Sequence, residues 1–381
     1  MMKSYQEINE KIRRGEAVVL TAEEVSRMAG SKTPAQVAKE VDVVTTGTFG
    51  PMCSSGMFMN VGHADPPIRM EKIELNGVPV HAGVAAVDMY IGATSVHPEN
   101  PRYGGAHVIE ALISGKEVLL EASGKGTDCY PLKEVKTKID RHSVNEMILF
   151  NPRNAYQNYP VAVNNTGKTN HTYMGTLLPK LGNANFSTSG ELSPLLNDPE
   201  LRTIGIGTRI FLGGTTGYVS WNGTQFKTNV PRTAEGVPKV NAATIAVIGD
   251  AKEMTPEFIR AAYFEKYGVS IFIGIGIPIP VLDEEMAARL MIRNEQIITQ
   301  VVDYGTIHKP VLGEVNYQQL FSGEIEVQGK KVRTASMSSL LKARQIADIL
   351  KQRITEGAFL LSEPLQPFPG DTSLNGLQIK S

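Results

Sequence analysis

Cysteine is almost absent from this chain: Cys53 and Cys129 are the only two among 381 residues. Two thiols cannot make a disulfide framework, and they fall short of the roughly four ligands that a structural zinc or an iron–sulfur cluster takes. No metal site is expected. Long hydrophobic runs are also missing. The most apolar stretch, residues 269–282, is interrupted by Pro278 and Pro280 and is shorter than the roughly 20 residues of a membrane helix. The first twenty residues are charged and amphipathic, with their one apolar run at Ala17 to Leu20, which is not the pattern of a signal peptide. A cytoplasmic protein is expected. Neither sign of charge is in excess: 38 Lys and Arg face 39 Asp and Glu, for a net charge of −1. A nucleic-acid or lipid surface would need a basic patch or surplus. HExxH, GxSxG and CxxC motifs do not occur, and the glycine runs GIGTRIFLGGTTG and IGIGIP match neither the dinucleotide fingerprint nor the phosphate loop.

What is present describes a globular chain, 41% hydrophobic and 20% charged, with 36 glycines. Thr21-Ala-Glu-Glu reads as a capped helix start. Ala35 to Glu40 is a further helical piece, and Asp42 to Thr46 a β-branched strand. Asn76-Gly77 closes a hairpin over residues 71–80. Gly105 to Ser114 is helical and Glu117 to Ala122 a strand. Later come strand patterns over 203–219, 243–249, 269–273 and 297–304, and helices over 256–267, 283–294 and 336–357. The fold class is α/β, mixed strands and helices with Gly-rich loops at strand ends. One domain in one or two lobes is expected over residues 1–365, followed by a peripheral tail, 366–381.

Two segments can carry sulfur chemistry. Cys129 stands in SGKGTDCYP after an apolar strand, among Lys125, Lys133, Lys136 and Lys138. Cations, or a helix beginning at Pro131, would favour its thiolate, the reactive form. Cys53 lies in the small-residue loop TTGTFGPMCSSGMF, and a second thiol serves as a relay when the fold brings it to the first. Arginines suit a carboxylate, which a guanidinium pairs bidentately. Arg102 precedes Gly104 and Gly105, where backbone can approach a ligand, and Arg153 follows a polar Asn-Pro turn. Arg69, Arg141 and Arg209 rank behind them. His107, opening a helix, is a candidate general acid.

Taken together, GPMCSSGM, RYGGAHVIEALISGKEV, GKGTDCYP, NPRNAYQNYPVAVN, NFSTSGELSPLLNDP, GIGTRIFLGGTTGYV and GIGIPIPVLDEE resemble, in that order, the homocysteine-biosynthesis family of anaerobic microbes, the L-aspartate semialdehyde sulfurtransferases. The resemblance runs from about residue 15 to residue 365. It implies transfer of sulfur to L-aspartate 4-semialdehyde to give L-homocysteine. A cysteine persulfide is the implied intermediate, with sulfide or a sulfane-sulfur donor as source and a separate ferredoxin-like iron–sulfur protein as electron donor. Both family cysteines fall on Cys53 and Cys129. The CBS and ferredoxin modules of many relatives are not expected here, and no bound cofactor is implied. On this reading Cys129 carries the persulfide, Cys53 resolves it from the same pocket, and His107 donates a proton. Arg102 or Arg153, with Gly104 and Gly105, holds the substrate of a homo-oligomeric enzyme. A non-catalytic persulfide carrier is the alternative.

Overall fold

A computed structural model describes residues 2–379. Its helices are α1 (Tyr5–Arg14), α2 (Ala22–Met28), α3 (Pro34–Glu40), α4 (Gly105–Ile113), α5 (Glu284–Leu290), α6 (Tyr317–Phe321) and α7 (Leu340–Thr355). The first three begin at Ser4, Thr21 and Thr33. Each of these hydroxyls accepts the N–H three residues on, while Glu7, Glu24 or Gln36 reaches back to the cap. This reciprocal capping satisfies N–H groups that a helix start otherwise leaves open.

A nine-stranded sheet forms the centre. Its strands are β1 (Thr48–Pro51), β2 (Gly56–Asn60), β3 (Asp88–Gly92), β4 (Glu146–Asn154), β5 (Arg209–Leu212), β6 (Thr215–Asn222), β7 (Ile245–Asp250), β8 (Ile259–Phe264) and β9 (Gly268–Gly276). They lie in the order β8-β9-β5-β6-β7-β4-β2-β3, with β1 pairing β9 off this path. A six-stranded sheet built around Val161–Val163 and Ala184–Phe186 has its own apolar core. A four-stranded sheet joins Lys72–Leu75, Val78–Val80, Val118–Ser123 and Glu134–Ile139. The mixed α/β class is as the sequence indicates. No helix among the described residues is long and apolar enough to cross a membrane.

Three local expectations change. Residues 256–267 form no helix: Ile259 to Phe264 pair antiparallel with Ile273 to Gly268. Ladder bonds and the burial of Ile259 override the helical preference of Ala261, Ala262 and Glu265. The helix expected over 283–294 stops at Leu290, with Asp283 as its cap accepting from Met286 N at 2.9 Å. No helix starts at Pro131, because the chain continues into the strand Glu134–Ile139. The end of the chain is tied down in places. Leu365 N donates to Ile206 O at 2.8 Å, and the Phe368 ring stands against Phe226 with centroids 5.5 Å apart.

Helix α7 closes the central sheet where it matters for function. Ile271, Ile273 and Ile275 of β9 are fully buried. A Cβ on Gly274 would stand 2.9 Å from the Ile346 side chain, and one on Gly276 2.8 Å from the same side chain. Glycine at these two positions lets α7 lie close to β9. Ile346→Ala should therefore cost about 2–4 kcal/mol by leaving a cavity in this seam. Urea unfolding measures it, and a cost under about 1 kcal/mol would show that α7 is loosely packed there.

Candidate active site

The site begins with the short strand β1. Pro51 and Gly50 pair with Phe272 and Ile273 of β9, and Met52 N donates to Ile271 O at 2.7 Å. The chain then turns, with Ser55 N donating to Met52 O at 3.0 Å, and enters β2. Cys53 sits on this turn, half-buried, with its Sγ 3.0 Å from the Ser270 hydroxyl of β9. Asn151 of β4 fixes the turn from below, donating its side-chain N–H to Ser55 Oγ at 2.7 Å.

Across from Cys53, β4 carries Arg153 one residue before its end. Its guanidinium donates to Ser54 Oγ at 3.2 Å, beside the thiol. Ala155 follows with φ 51, a left-handed conformation that a residue with a Cβ adopts rarely. With Asn154 it separates Arg153 from Tyr156, and Arg153, Ala155 and Tyr156 line one cavity of about 360 Å³. Tyr159, Tyr173 and Tyr267 complete an aromatic wall, and Ser187, Thr188 and Ser193 supply hydroxyls. Arg153 is the one charged side chain of the lining, which contains no carboxylate, histidine or lysine. Burial, followed by the neighbouring Cys53 sulfur, pushes the Tyr267 phenol up to about 12. Burial first, then the nearby tyrosines, raises Tyr159 further. These phenols stay neutral around pH 7 and act through hydrogen bonds.

Of the residues singled out in the sequence, the cavity gathers Cys53 and Arg153 and leaves the others elsewhere. Cys129 is exposed, in the loop that joins Val118–Ser123 to Glu134–Ile139. Thr127 and Tyr130 exchange backbone hydrogen bonds of 2.8 and 3.1 Å across it, and the Tyr130 ring stacks on His63. Cys53 precedes β2 and His63 follows it, so the two thiols sit at opposite ends of this strand. A five-residue strand spans roughly 15 Å, whereas a disulfide needs Cα atoms within about 7 Å. The expected common pocket is thus not formed within one chain. Nor is the Cys129 loop a bare cationic patch. Lys125, Lys136 and Lys138 face Glu71, Glu121 and Glu117 at 3.9, 2.5 and 2.7 Å.

The NPRYGGAH segment also lies away from the cavity. Arg102 is exposed and stands over the Tyr263 ring, 5.7 Å from its centroid. A Cβ on Gly104 would meet the backbone oxygen of Ser95, and one on Gly105 that of Gly92. These glycines allow close backbone packing and do not admit a ligand. His107 closes the start of α4, accepting from Gly104 N at 3.2 Å and stacking on Tyr103 at 5.1 Å. Arg141 is spent on Ile113 O at 2.9 Å, and Arg209 lies over the Phe359 ring. Sequence reasoning missed the tyrosines. Tyr156 and Tyr159 in NPRNAYQNY were the available signal, two aromatics in an otherwise polar run. Tyr173 and Tyr267 carry none, since only the fold brings them in.

His107 gives a pH test of this placement. Burial lowers its pKa, with Glu110 opposing, so the folded protein resists the proton that the unfolded chain takes up near 6.5. Stability should fall as pH drops below about 6.5 and level off below the folded value. His107→Gln should remove this part of the pH dependence and keep turnover within about threefold of wild type. Loss of turnover with the fold intact would restore His107 to the chemistry.

Comparison with known proteins points to sulfur incorporation. The family described as homocysteine biosynthesis enzyme, sulfur-incorporation, matches residues 17–361. A protein of Methanosarcina acetivorans named L-aspartate semialdehyde sulfurtransferase is 46% identical over 379 residues, covering 99% of this chain and 74% of that one. One of the same name from Methanocaldococcus jannaschii is 50% identical over 382 residues, covering 95% and 72%. An uncharacterised protein of Methanothermobacter thermautotrophicus is 28% identical over 351 residues, covering 89% and 76%. No solved structure matches significantly. With the match spanning nearly all of the chain, this protein belongs to the sulfur-incorporating homocysteine biosynthesis enzymes.

Proposed function

We propose that this chain joins sulfur to L-aspartate 4-semialdehyde at Cys53, giving L-homocysteine. The observation that carries the reading is a thiol and a guanidinium facing one cavity, with no other charged side chain lining it. Arg153 takes the substrate carboxylate, which places a four-carbon aldehyde within the same space as the Cys53 sulfur. A persulfide on Cys53 is a softer and more acidic nucleophile than a thiol and adds to the aldehyde carbon. Tyr267, neutral and beside the sulfur, is the proton donor to the aldehyde oxygen, in the role the sequence had suggested for His107.

The persulfide takes its outer sulfur from a sulfane-sulfur donor, so the aldehyde and that sulfur atom together take up four electrons and four protons and give the thiol and water. A reductant is therefore required, and a separate ferredoxin-like protein fills that role. Cys129, exposed at the far end of β2, suits exchange of sulfur or electrons with donors outside the chain. The carrier reading thus attaches to Cys129 and the enzymatic reading to Cys53, the reverse of the assignment read from the sequence.

Cys53→Ala should abolish homocysteine formation and leave the unfolding midpoint near that of wild type. Cys129→Ala should slow turnover with the physiological donors while Cys53 still becomes a persulfide, seen by peptide mass spectrometry after treatment with a sulfane-sulfur donor. Persulfide confined to Cys129, together with full activity of Cys53→Ala, would sink the assignment. Arg153→Ala should lose about 2–4 kcal/mol of transition-state binding, on the order of 30- to 1000-fold in kcat/KM. A loss under threefold would mean that backbone N–H groups of the Cys53 turn hold the carboxylate.

A further inference from the structure

An amino-acid aldehyde brings an ammonium as well as a carboxylate, and the cavity offers that ammonium no acidic side chain. A buried cation needs acceptors in its place, because an ammonium has only hydrogens to give. The tyrosine wall has them. Tyr159 Oη donates to Tyr173 Oη at 3.1 Å, and Tyr173 and Tyr304 share a hydrogen bond of 3.1 Å. Tyr156 Oη donates to Gln225 Oε1 at 3.3 Å. The hydroxyl protons of Tyr156 and Tyr159 are thus committed to neighbours. Tyr173 accepts from Tyr159 and shares its second hydrogen bond with Tyr304. The oxygens of Tyr156 and Tyr159 each keep a lone pair, and Tyr156, Tyr159 and Tyr173 all line the cavity.

Arg153 is bonded to Ser54 on the Cys53 turn, whereas Tyr159 and Tyr173 bond to one another and Tyr173 to Tyr304. The Tyr159 and Tyr173 rings meet edge to face with centroids 6.4 Å apart, and Tyr173 meets Tyr267 in the same way at 6.2 Å. Ring faces attract a cation in their own right, most strongly where water is excluded.

From these contacts we infer that Tyr159 and Tyr173 form a subsite for a primary ammonium, separate from the carboxylate subsite at Arg153. The inference rests on the reading of Cys53 as the sulfur-joining site. It deepens that reading by stating how a 2-amino-4-oxo acid is told apart from the same aldehyde without its amino group. Neutral oxygens and rings bind the ammonium with no second charge to pair the guanidinium, so Arg153 stays free for the carboxylate. A carboxylate in the wall would compete with the substrate for Arg153.

The test compares L-aspartate 4-semialdehyde with succinate semialdehyde, which lacks only the amino group, in wild type, Tyr159→Phe and Tyr173→Phe. Wild type should favour the amino aldehyde by tenfold or more in kcat/KM. Each variant should lower that ratio three- to tenfold, with succinate semialdehyde turned over within twofold of the wild-type rate. Ratios unchanged within twofold in both variants, or equal losses on both aldehydes, would overturn the subsite and leave the tyrosines structural. A second readout is the protection of Cys53 from alkylation by iodoacetamide, using L-homoserine and 4-hydroxybutanoate as occupants. L-homoserine should protect at a concentration at least tenfold lower, with the advantage reduced in both variants; equal protection would overturn the subsite. Wild type that makes no thiol from either aldehyde would defeat the proposed function, while the alkylation result still decides the subsite.

Discussion

Everything at the site depends on the antiparallel pairing of β1 with β9. Four residue pairs, Thr48 with Ile275 through Pro51 with Phe272, hold a short strand that has no other partner in the sheet. The pairing is secured from outside by the start of α7, where Ser339 N donates to Phe49 O at 2.8 Å. Gly47 tightens the seam, since a Cβ there would meet the backbone of Ala343. With β1 fixed, the turn that follows can go only one way, and Cys53 arrives against Ser270. The thiol's position therefore derives from a helix more than 280 residues later in the chain, a long-range dependence of the kind that ties function to folding of the whole domain.

The second determinant is the electrostatic composition of the cavity. One guanidinium stands among neutral hydroxyls, and burial keeps the phenols protonated. In such a site an anionic group of the ligand has one place to go, and the attraction is stronger than in water because few solvent dipoles screen it. The sulfur lies in the same cavity as that charge. The second thiol, Cys129, is exposed and stands outside this lining.

Much of the local structure was legible in the sequence. The capping box at Thr21, the Asn76-Gly77 hairpin and the helix ending near Gly357 all rest on neighbouring residues, so a linear reading reaches them. Residues 259–264 did not yield, because their strand exists only through pairing with β9. The site divides along the same line. Cys53 and Arg153 were found from residue type and loop chemistry. Their joint cavity was not, because β2 and β4 pair over a separation of about 90 residues. The glycines beside Arg102 misled, since backbone packing against Gly92 and Ser95 demands glycine as strictly as a ligand would. The lysines near Cys129 misled as well, their partners Glu117 and Glu121 lying just before and on the adjacent strand.

The central claim is that substrate and product occupy the Cys53 cavity with their carboxylate on Arg153. A crystal structure of the protein with L-homocysteine under reducing conditions tests it most directly. The account predicts the product sulfur in van der Waals contact with Cys53 Sγ and the carboxylate paired with the Arg153 guanidinium at about 2.8 Å, as charge-assisted pairs are. L-homocysteine bound at the Cys129 loop, with the Cys53 cavity holding only water, would contradict it.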